Sequence, residues 1–118
     1  MLLVDDDKDI VNAFKLGLER QGFAVDAFSD PAEALRRRAG PYDLAIFDIK
    51  MPQMTGFELY RSFRMIDRET PVVFITAFEM DESEFKNLPH DPGVKGILRK
   101  PIRTSQLALA IEKIISEG

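Results

Sequence analysis

The sequence predicts an α/β domain, a three-layer α/β/α sandwich built on a five-stranded parallel sheet. Apolar runs alternate with amphipathic segments along the whole chain, which is the pattern of repeated βαβ units. Two runs, residues 44–47 and 72–75, are continuously apolar, as expected of strands that helices cover on both faces. The length of 118 residues suits one core, so we expect residues 1–118 to form a single domain with no separate effector domain.

The first strand and helix follow from local patterns. Leu2–Val4 is a short apolar strand, and the segment after it has helical spacing and ends at Gly22, a residue suited to the end of a helix. The buried face of that helix is predicted to carry Val11, Phe14 and Leu18. Residues 23–28 predict a second strand, which we place near a sheet edge because Asp26 interrupts it.

The remaining elements are predicted in the same way. Asp30 is a suitable N-cap for a second helix that ends at residues 40–41, and residues 56–66 predict a third helix. Residues 94–98 predict a weaker fifth strand, and Thr104 is expected to cap the last helix.

Composition excludes several classes of protein. Hydrophobic residues make up 45% and charged residues 31%, which is typical of a globular domain and too apolar for a disordered chain. There is no cysteine for disulfides or thiolate metal sites, no apolar run of membrane-spanning length and no secretory signal pattern. The net charge of -4 provides no basic surface for nucleic acid. We therefore expect a cytoplasmic domain that contacts neither nucleic acid nor membrane.

Polar side chains follow four of the predicted strands. Because the carboxyl ends of parallel strands meet at one edge of a sheet, these side chains should converge there. Crowded carboxylates repel one another unless a cation lies among them, and oxygen ligands without His or Cys favour Mg²⁺. A carboxylate can also accept a phosphoryl group, whose oxygens a metal, an ammonium and a hydroxyl can neutralise. The residues concerned are Asp5, Asp6 and Asp7, then Asp48, Thr76 and Lys100.

These residues lie in stretches that resemble the receiver domains of two-component response regulators, over essentially the whole chain. The matching stretches, in the family's order and spacing, are Leu3–Asp7, Asp43–Pro52, Met54–Leu59, Thr76-Ala77 and Lys100-Pro101. The resemblance implies strand order 2-1-3-4-5 and a signalling switch that catalyses only its own phosphorylation and dephosphorylation. It implies a histidine kinase or phosphotransfer protein as one partner and an output partner that the sequence does not identify.

The resemblance also implies roles for individual residues. Asp48 resembles the phosphoacceptor, and Asp5 and Asp6 resemble the family's acidic pair. Direct ligands to Mg²⁺ would be Asp6, Asp48 and the backbone carbonyl of Lys50.

Two further residues resemble the switch and the cation of the family. Thr76 resembles the hydroxyl that turns toward the phosphoryl oxygens, and Lys100 resembles the lysine that pairs with them. The bond from Lys100 to Pro101 is typically cis in the family, which an X–Pro bond permits. The aromatic switch position of the family is occupied here by Ile97, so coupling to the partner must differ.

Three alternatives remain open from the residues. A haloacid-dehalogenase-like phosphatase needs a second Asp two positions after its nucleophile, and Lys50 occupies that position. A receiver-like interaction module that is not phosphorylated is kept open by Ile97. A flavin-binding module on a similar fold is disfavoured because the strand-end loops are acidic.

Residues 79–93 depart most from the family. Pro89 and Pro92 predict an irregular fourth helix and loop, which argues against the usual dimer and favours a monomer or a weak dimer. Lys50 and Phe78, two positions after the acceptor and the switch Thr, are predicted to hinder the water that would hydrolyse an aspartyl-phosphate. Ile10 is predicted to be an exposed apolar contact for a kinase.

Overall fold

The computed structural model describes residues 1–77 and 86–117, and these form a five-stranded parallel sheet flanked by helices. The strands run in the order β2-β1-β3-β4-β5, and every neighbouring pair is parallel. The predicted fold class, strand order and edge position of the second strand are therefore confirmed. The strands are β1 (Leu2–Val4), β2 (Asp26–Phe28), β3 (Ala45–Asp48), β4 (Val72–Thr76) and β5 (Val94–Arg99).

Four helices lie wholly within the described ranges: α1 (Lys8–Arg20), α2 (Pro31–Arg37), α3 (Gly56–Ile66) and α4 (Thr104–Glu117). The first three have N-caps that accept hydrogen bonds from the free N–H groups of the first turn. Asp7 caps α1, Asp30 caps α2 as predicted, and Thr55 forms a capping box with Glu58 on α3. Gly22, just beyond α1, has a φ of 99°, which a glycine adopts without strain.

Two element boundaries differ from the prediction by three or more residues, and one cap also differs. β2 begins at Asp26 rather than Phe23, because the Phe23 N–H still donates to the Leu18 carbonyl of the last turn of α1, at 3.1 Å. α2 ends at Arg37, short of residues 40–41. Thr104 is the first residue of α4 rather than its N-cap, since the Leu107 N–H already bonds the carbonyl of Arg103.

The core consists of two clusters, one on each face of the sheet. Along β3, Phe47 points toward the cluster that α2 and α3 cover, and Ile46 points toward the cluster that α1 and α4 cover. This alternation follows from the two-residue period of a strand and gives the predicted three layers. Phe47 packs edge to face against Phe63 of α3, with ring centroids 5.3 Å apart.

Some predictions fall partly or wholly outside the described ranges. Phe78 and most of the predicted irregular fourth helix belong to residues 78–85, which the structure does not describe.

Ile10, predicted to be exposed, is half-buried and packs against the cluster between the sheet and the helices α1 and α4. Within the described ranges, no helix is long and apolar enough to cross a membrane.

Candidate functional site

Three carboxylates meet at the carboxyl edge of the sheet. β1 and β3 are parallel neighbours with Val4 opposite Phe47, so the residues that follow, Asp5 and Asp48, lie next to each other. Oxygens of Asp5, Asp6 and Asp48 all lie within 4.8 Å of one another. Asp5 and Asp48 are buried, with 0% and 4% of their surface exposed, and Asp6 is half-buried. The structure thus brings together three of the four acidic residues that the sequence predicted to converge, whereas Asp7 is exposed and caps α1.

Local hydrogen bonds orient Asp5. Its Oδ1 accepts from the N–H of Asp7 at 3.0 Å, and Asp7 in turn caps α1. Its Oδ2 is buried and accepts no hydrogen bond within the described structure, although the Lys100 ammonium lies 2.7 Å away as an ion pair. One oxygen therefore holds the loop, and the other forms an ion pair with the Lys100 ammonium.

Lys100 supplies a positive charge close to these carboxylates. Its Nζ lies 2.7 Å from Asp5 Oδ2 and 3.7 Å from Asp48 Oδ1, and its side chain is 13% exposed. The Lys100 N–H donates to the Thr76 carbonyl at 2.8 Å, so β4 holds the start of the loop. The bond from Lys100 to Pro101 is cis, as the resemblance implied.

The crowding of carboxylates changes the acidity of Asp48. The pKa of Asp48 is raised to about 7, mainly by burial and next by the nearby Asp5 charge. The Lys100 ammonium opposes this increase, while a hydrogen bond with the Asp6 carboxyl favours the protonated form. One ammonium does not neutralise three carboxylates, so the site has a residual negative charge that favours a further cation.

Thr76 and Gly56 complete the surroundings of Asp48. Thr76 ends β4, beside β3, and is 2% exposed. Gly56, the first residue of α3, lies so close to the end of β3 that a Cβ there would overlap the Asp48 carbonyl oxygen and lie 3.0 Å from Ile49 Cα. Gly56 received no role from the sequence, although a glycine at the start of a helix was a signal of such close approach.

The site opens into a cleft. This cleft, of about 770 Å³, begins at Asp6 and is lined by Lys50, Met51 and Arg61 among others. A larger cleft, of about 1090 Å³, lies at the other end of the sheet around Tyr42 and Ile66 and is remote from the carboxylates. The smaller cleft is the candidate site, because Asp6 of the carboxylate cluster lines it and no member of that cluster lines the larger one.

The donor set fits a hard divalent ion. All three acidic side chains offer oxygen, which Mg²⁺ prefers, and their oxygens lie within 4.8 Å of one another. The Lys50 residue that the sequence predicted as a carbonyl ligand lines the same cleft as Asp6.

Known proteins share this sequence pattern. The family model for the response regulator receiver domain matches residues 1–112. The response regulator receiver protein CpdR of Brucella abortus is 34% identical over 117 residues, covering 98% of this chain and 95% of CpdR. The transcriptional regulatory protein QseB of Haemophilus influenzae is 30% identical over 116 residues, covering 98% of this chain. The chain spans about half the length of QseB and of several other regulators that it matches.

Solved structures share the fold. A CheY-like receiver domain protein from Methanospirillum hungatei has a TM-score of 0.83 and 27% identity, covering 98% of this chain and 92% of that protein. The response regulator TrrA of Thermotoga maritima, solved in complex with Mg²⁺-BeF, has a TM-score of 0.78 and 26% identity, covering 96% of each chain.

Proposed function

The chain belongs to the response regulator receiver domain family, and from this premise we propose that it accepts a phosphoryl group on Asp48 in a Mg²⁺-dependent reaction. The donor is the phosphorylated histidine of a kinase or phosphotransfer protein, and the phosphorylated domain changes its affinity for an output partner. The observation that carries the proposal is the cluster of Asp5, Asp6 and Asp48 with Lys100 at the open edge of the sheet.

Mg²⁺ would be held by carboxylate oxygens of Asp6 and Asp48 and by the Lys50 backbone carbonyl, with Asp5 beside them. When bound, the ion supplies positive charge that neutralises the phosphoryl oxygens. The described residues offer the oxygen-rich, negatively charged environment that such an ion requires. TrrA, which shares the fold at 26% identity, was solved with Mg²⁺-BeF, and this supports the same type of ligand here.

In the reaction, a carboxylate oxygen of Asp48 attacks the phosphorus of the donor. A new O–P bond forms as the P–N bond to the donor histidine breaks, and the imidazole leaves with the bonding electrons. Lys100, which now lies 3.7 Å from Asp48 Oδ1, pairs with a phosphoryl oxygen. The Thr76 hydroxyl donates to another, which draws the end of β4 toward the acceptor.

We also propose a cellular location and an oligomeric state for the domain. We place it in the cytoplasm as one domain over residues 1–118, monomeric or weakly dimeric, without direct contact to nucleic acid or membrane. The net charge of -4 supports the lack of nucleic-acid contact. Its chemistry is confined to its own phosphorylation and dephosphorylation, because Lys50 stands where a dehalogenase-like phosphatase needs an acid.

Incubation with phosphoramidate and Mg²⁺, followed by intact mass measurement, tests the proposal. We expect a single phosphoryl adduct in the wild type and none in Asp48→Asn. Asp43→Asn, which removes an exposed carboxylate before β3 at the other edge of the sheet, should still be phosphorylated. A wild-type protein without an adduct would instead favour an interaction module that is not phosphorylated, and an adduct that persists in Asp48→Asn would refute the acceptor.

A further inference from the structure

We infer that Gly17 is a positioning residue for Lys100 and acts through the contact between α1 and the first residue of α4. The inference rests on the proposed function of Lys100 and adds a residue to it that lies outside the cluster of carboxylates. Gly17 is in the interior of α1, where glycine is less favourable for a helix than alanine. A packing requirement explains why a glycine is found there.

That requirement comes from Thr104. A Cβ on residue 17 would overlap the Thr104 Cγ2 atom and would lie 2.9 Å from its Cβ and 3.1 Å from its Oγ1. Rotation about χ1 of Thr104 moves Cγ2 and Oγ1 but leaves its Cβ in place. Any side chain at position 17 therefore requires the backbone at the start of α4 to move.

The start of α4 is closely connected to Lys100. Only residues 101–103 separate Lys100 from Thr104, and the Lys100 N–H is bonded to the Thr76 carbonyl. Leu107, one turn into α4, is fully buried in the core, so the helix cannot move away freely. A displacement of Thr104 is thus transmitted into the short loop that begins at Lys100.

The other partner of the Lys100 ion pair depends on α1. Asp5 Oδ1 accepts from the N–H of Asp7, which caps α1, while Asp5 Oδ2 pairs with Lys100 at 2.7 Å. The two helices thus follow directly from the loops that carry the two charges. Their close approach at Gly17 sets how near the Lys100 ammonium lies to the acceptor site.

The test compares phosphorylation rates with phosphoramidate and Mg²⁺. Gly17→Ala should be phosphorylated about tenfold more slowly, because small misplacements of a reacting group lower rates by one to two orders of magnitude. The double variant Gly17→Ala/Thr104→Gly removes the obstructing side chain and should return to within about twofold of the wild type, although glycine at the start of α4 lowers its stability. Asn12→Ala, on the exposed face of α1, is the control for alanine in this helix and should leave the rate unchanged.

Two further measurements separate positioning from general destabilisation. The Mg²⁺ affinity of Gly17→Ala should not fall below that of the wild type, since displacing the Lys100 ammonium from the carboxylates does not weaken the binding of another cation. A crystal structure of Gly17→Ala should show the Lys100 Nζ to Asp5 Oδ2 distance increased beyond 2.7 Å.

An unchanged distance, or a wild-type rate in Gly17→Ala, would overturn the inference. If Gly17→Ala does not fold, the double variant Gly17→Ala/Thr104→Gly tests the inference. A folded and active double variant supports the role of the contact between Gly17 and Thr104, and an unfolded one refutes it. A wild type that takes up no phosphoryl group would refute the proposed function alone, since the crystallographic distance tests the inference without any phosphodonor.

Discussion

Replacement of Asp48 by Asn should stabilise the metal-free protein at pH 8 and leave its stability almost unchanged at pH 4. In the folded protein, burial and the Asp5 charge raise the pKa of Asp48 from 3.8 to about 7. Between these values the folded state retains a proton that the unfolded chain has lost. The contribution of Asp48 to the free energy of unfolding of the wild type therefore falls as the pH rises from about 4 to about 7. The asparagine variant has no such decrease, because an amide does not titrate in this range.

The size of the effect follows from the pKa. A difference of about three pH units, at about 1.36 kcal/mol each, sets an upper limit of about 4 kcal/mol. Water reaches the open edge of the sheet and screens the charges there, so we expect about 1–3 kcal/mol. This corresponds to an increase of about 1 M in the urea midpoint of the variant at pH 8.

Urea unfolding at pH 4 and pH 8, with EDTA present, measures this difference. The comparison is between wild type and variant at each pH, so that effects common to both proteins cancel. Asp43→Asn is the matched control for the loss of one exposed negative charge. Addition of Mg²⁺ should remove the advantage of Asp48→Asn by stabilising the wild type.

Two results would refute the reasoning. If Asp48→Asn were less stable than the wild type at pH 8 without metal, the carboxylate would be stabilising rather than repelled. If the difference were the same at both pH values, it would reflect packing of the amide and not the charge on Asp48.

Three further predictions concern the metal, the hydrolysis of the phosphorylated state and the end of β3. Millimolar Mg²⁺, at about 100 times its dissociation constant, should add about 2.7 kcal/mol to wild-type stability in thermal unfolding, and an equal gain in Asp6→Ala would contradict the ligand assignment. Lys50→Asn should speed the decay of the purified phosphorylated protein with little effect on its formation, because a charged Lys cannot accept a proton from water; a decay rate equal to that of the wild type would argue against this role. Gly56→Ala should lower the free energy of unfolding by about 1–3 kcal/mol in urea and slow phosphorylation of Asp48, because its Cβ would overlap the Asp48 carbonyl oxygen. Ser62→Ala, on the exposed surface of α3, is the control, and unchanged stability in Gly56→Ala would show that α3 can move away from β3.

Much of the fold could be predicted from the sequence because the signals are local. The continuous apolar runs that became β3 and β4 indicated strands covered on both faces, and Asp30 before Pro31 marked the start of α2. The boundaries were less accurate where two structures compete for the same residues. Phe23 has the composition of a strand residue, yet its N–H completes the last turn of α1, which periodicity alone does not reveal.

The acidic cluster was also predictable, because parallel strands bring their carboxyl ends to one edge whatever the side chains are. The sequence by itself therefore determined which residues meet: Asp5, Asp6, Asp48, Thr76 and Lys100. It contained no information on which oxygen of Asp5 holds the loop and which pairs with Lys100 at 2.7 Å. Distances of this kind depend on side-chain rotamers and on the packing of distant segments.

The contact of Gly17 with Thr104 was decided by the tertiary structure alone. These residues are far apart in the chain, and a glycine in a helix has no local pattern that identifies its neighbour. The helices α1 and α4 meet because both cover the same face of the sheet, and the separation between them depends on the buried side chains of the whole cluster. Local sequence determines which elements form and which sheet edge bears the charges, whereas close packing between remote elements determines how near those charges lie.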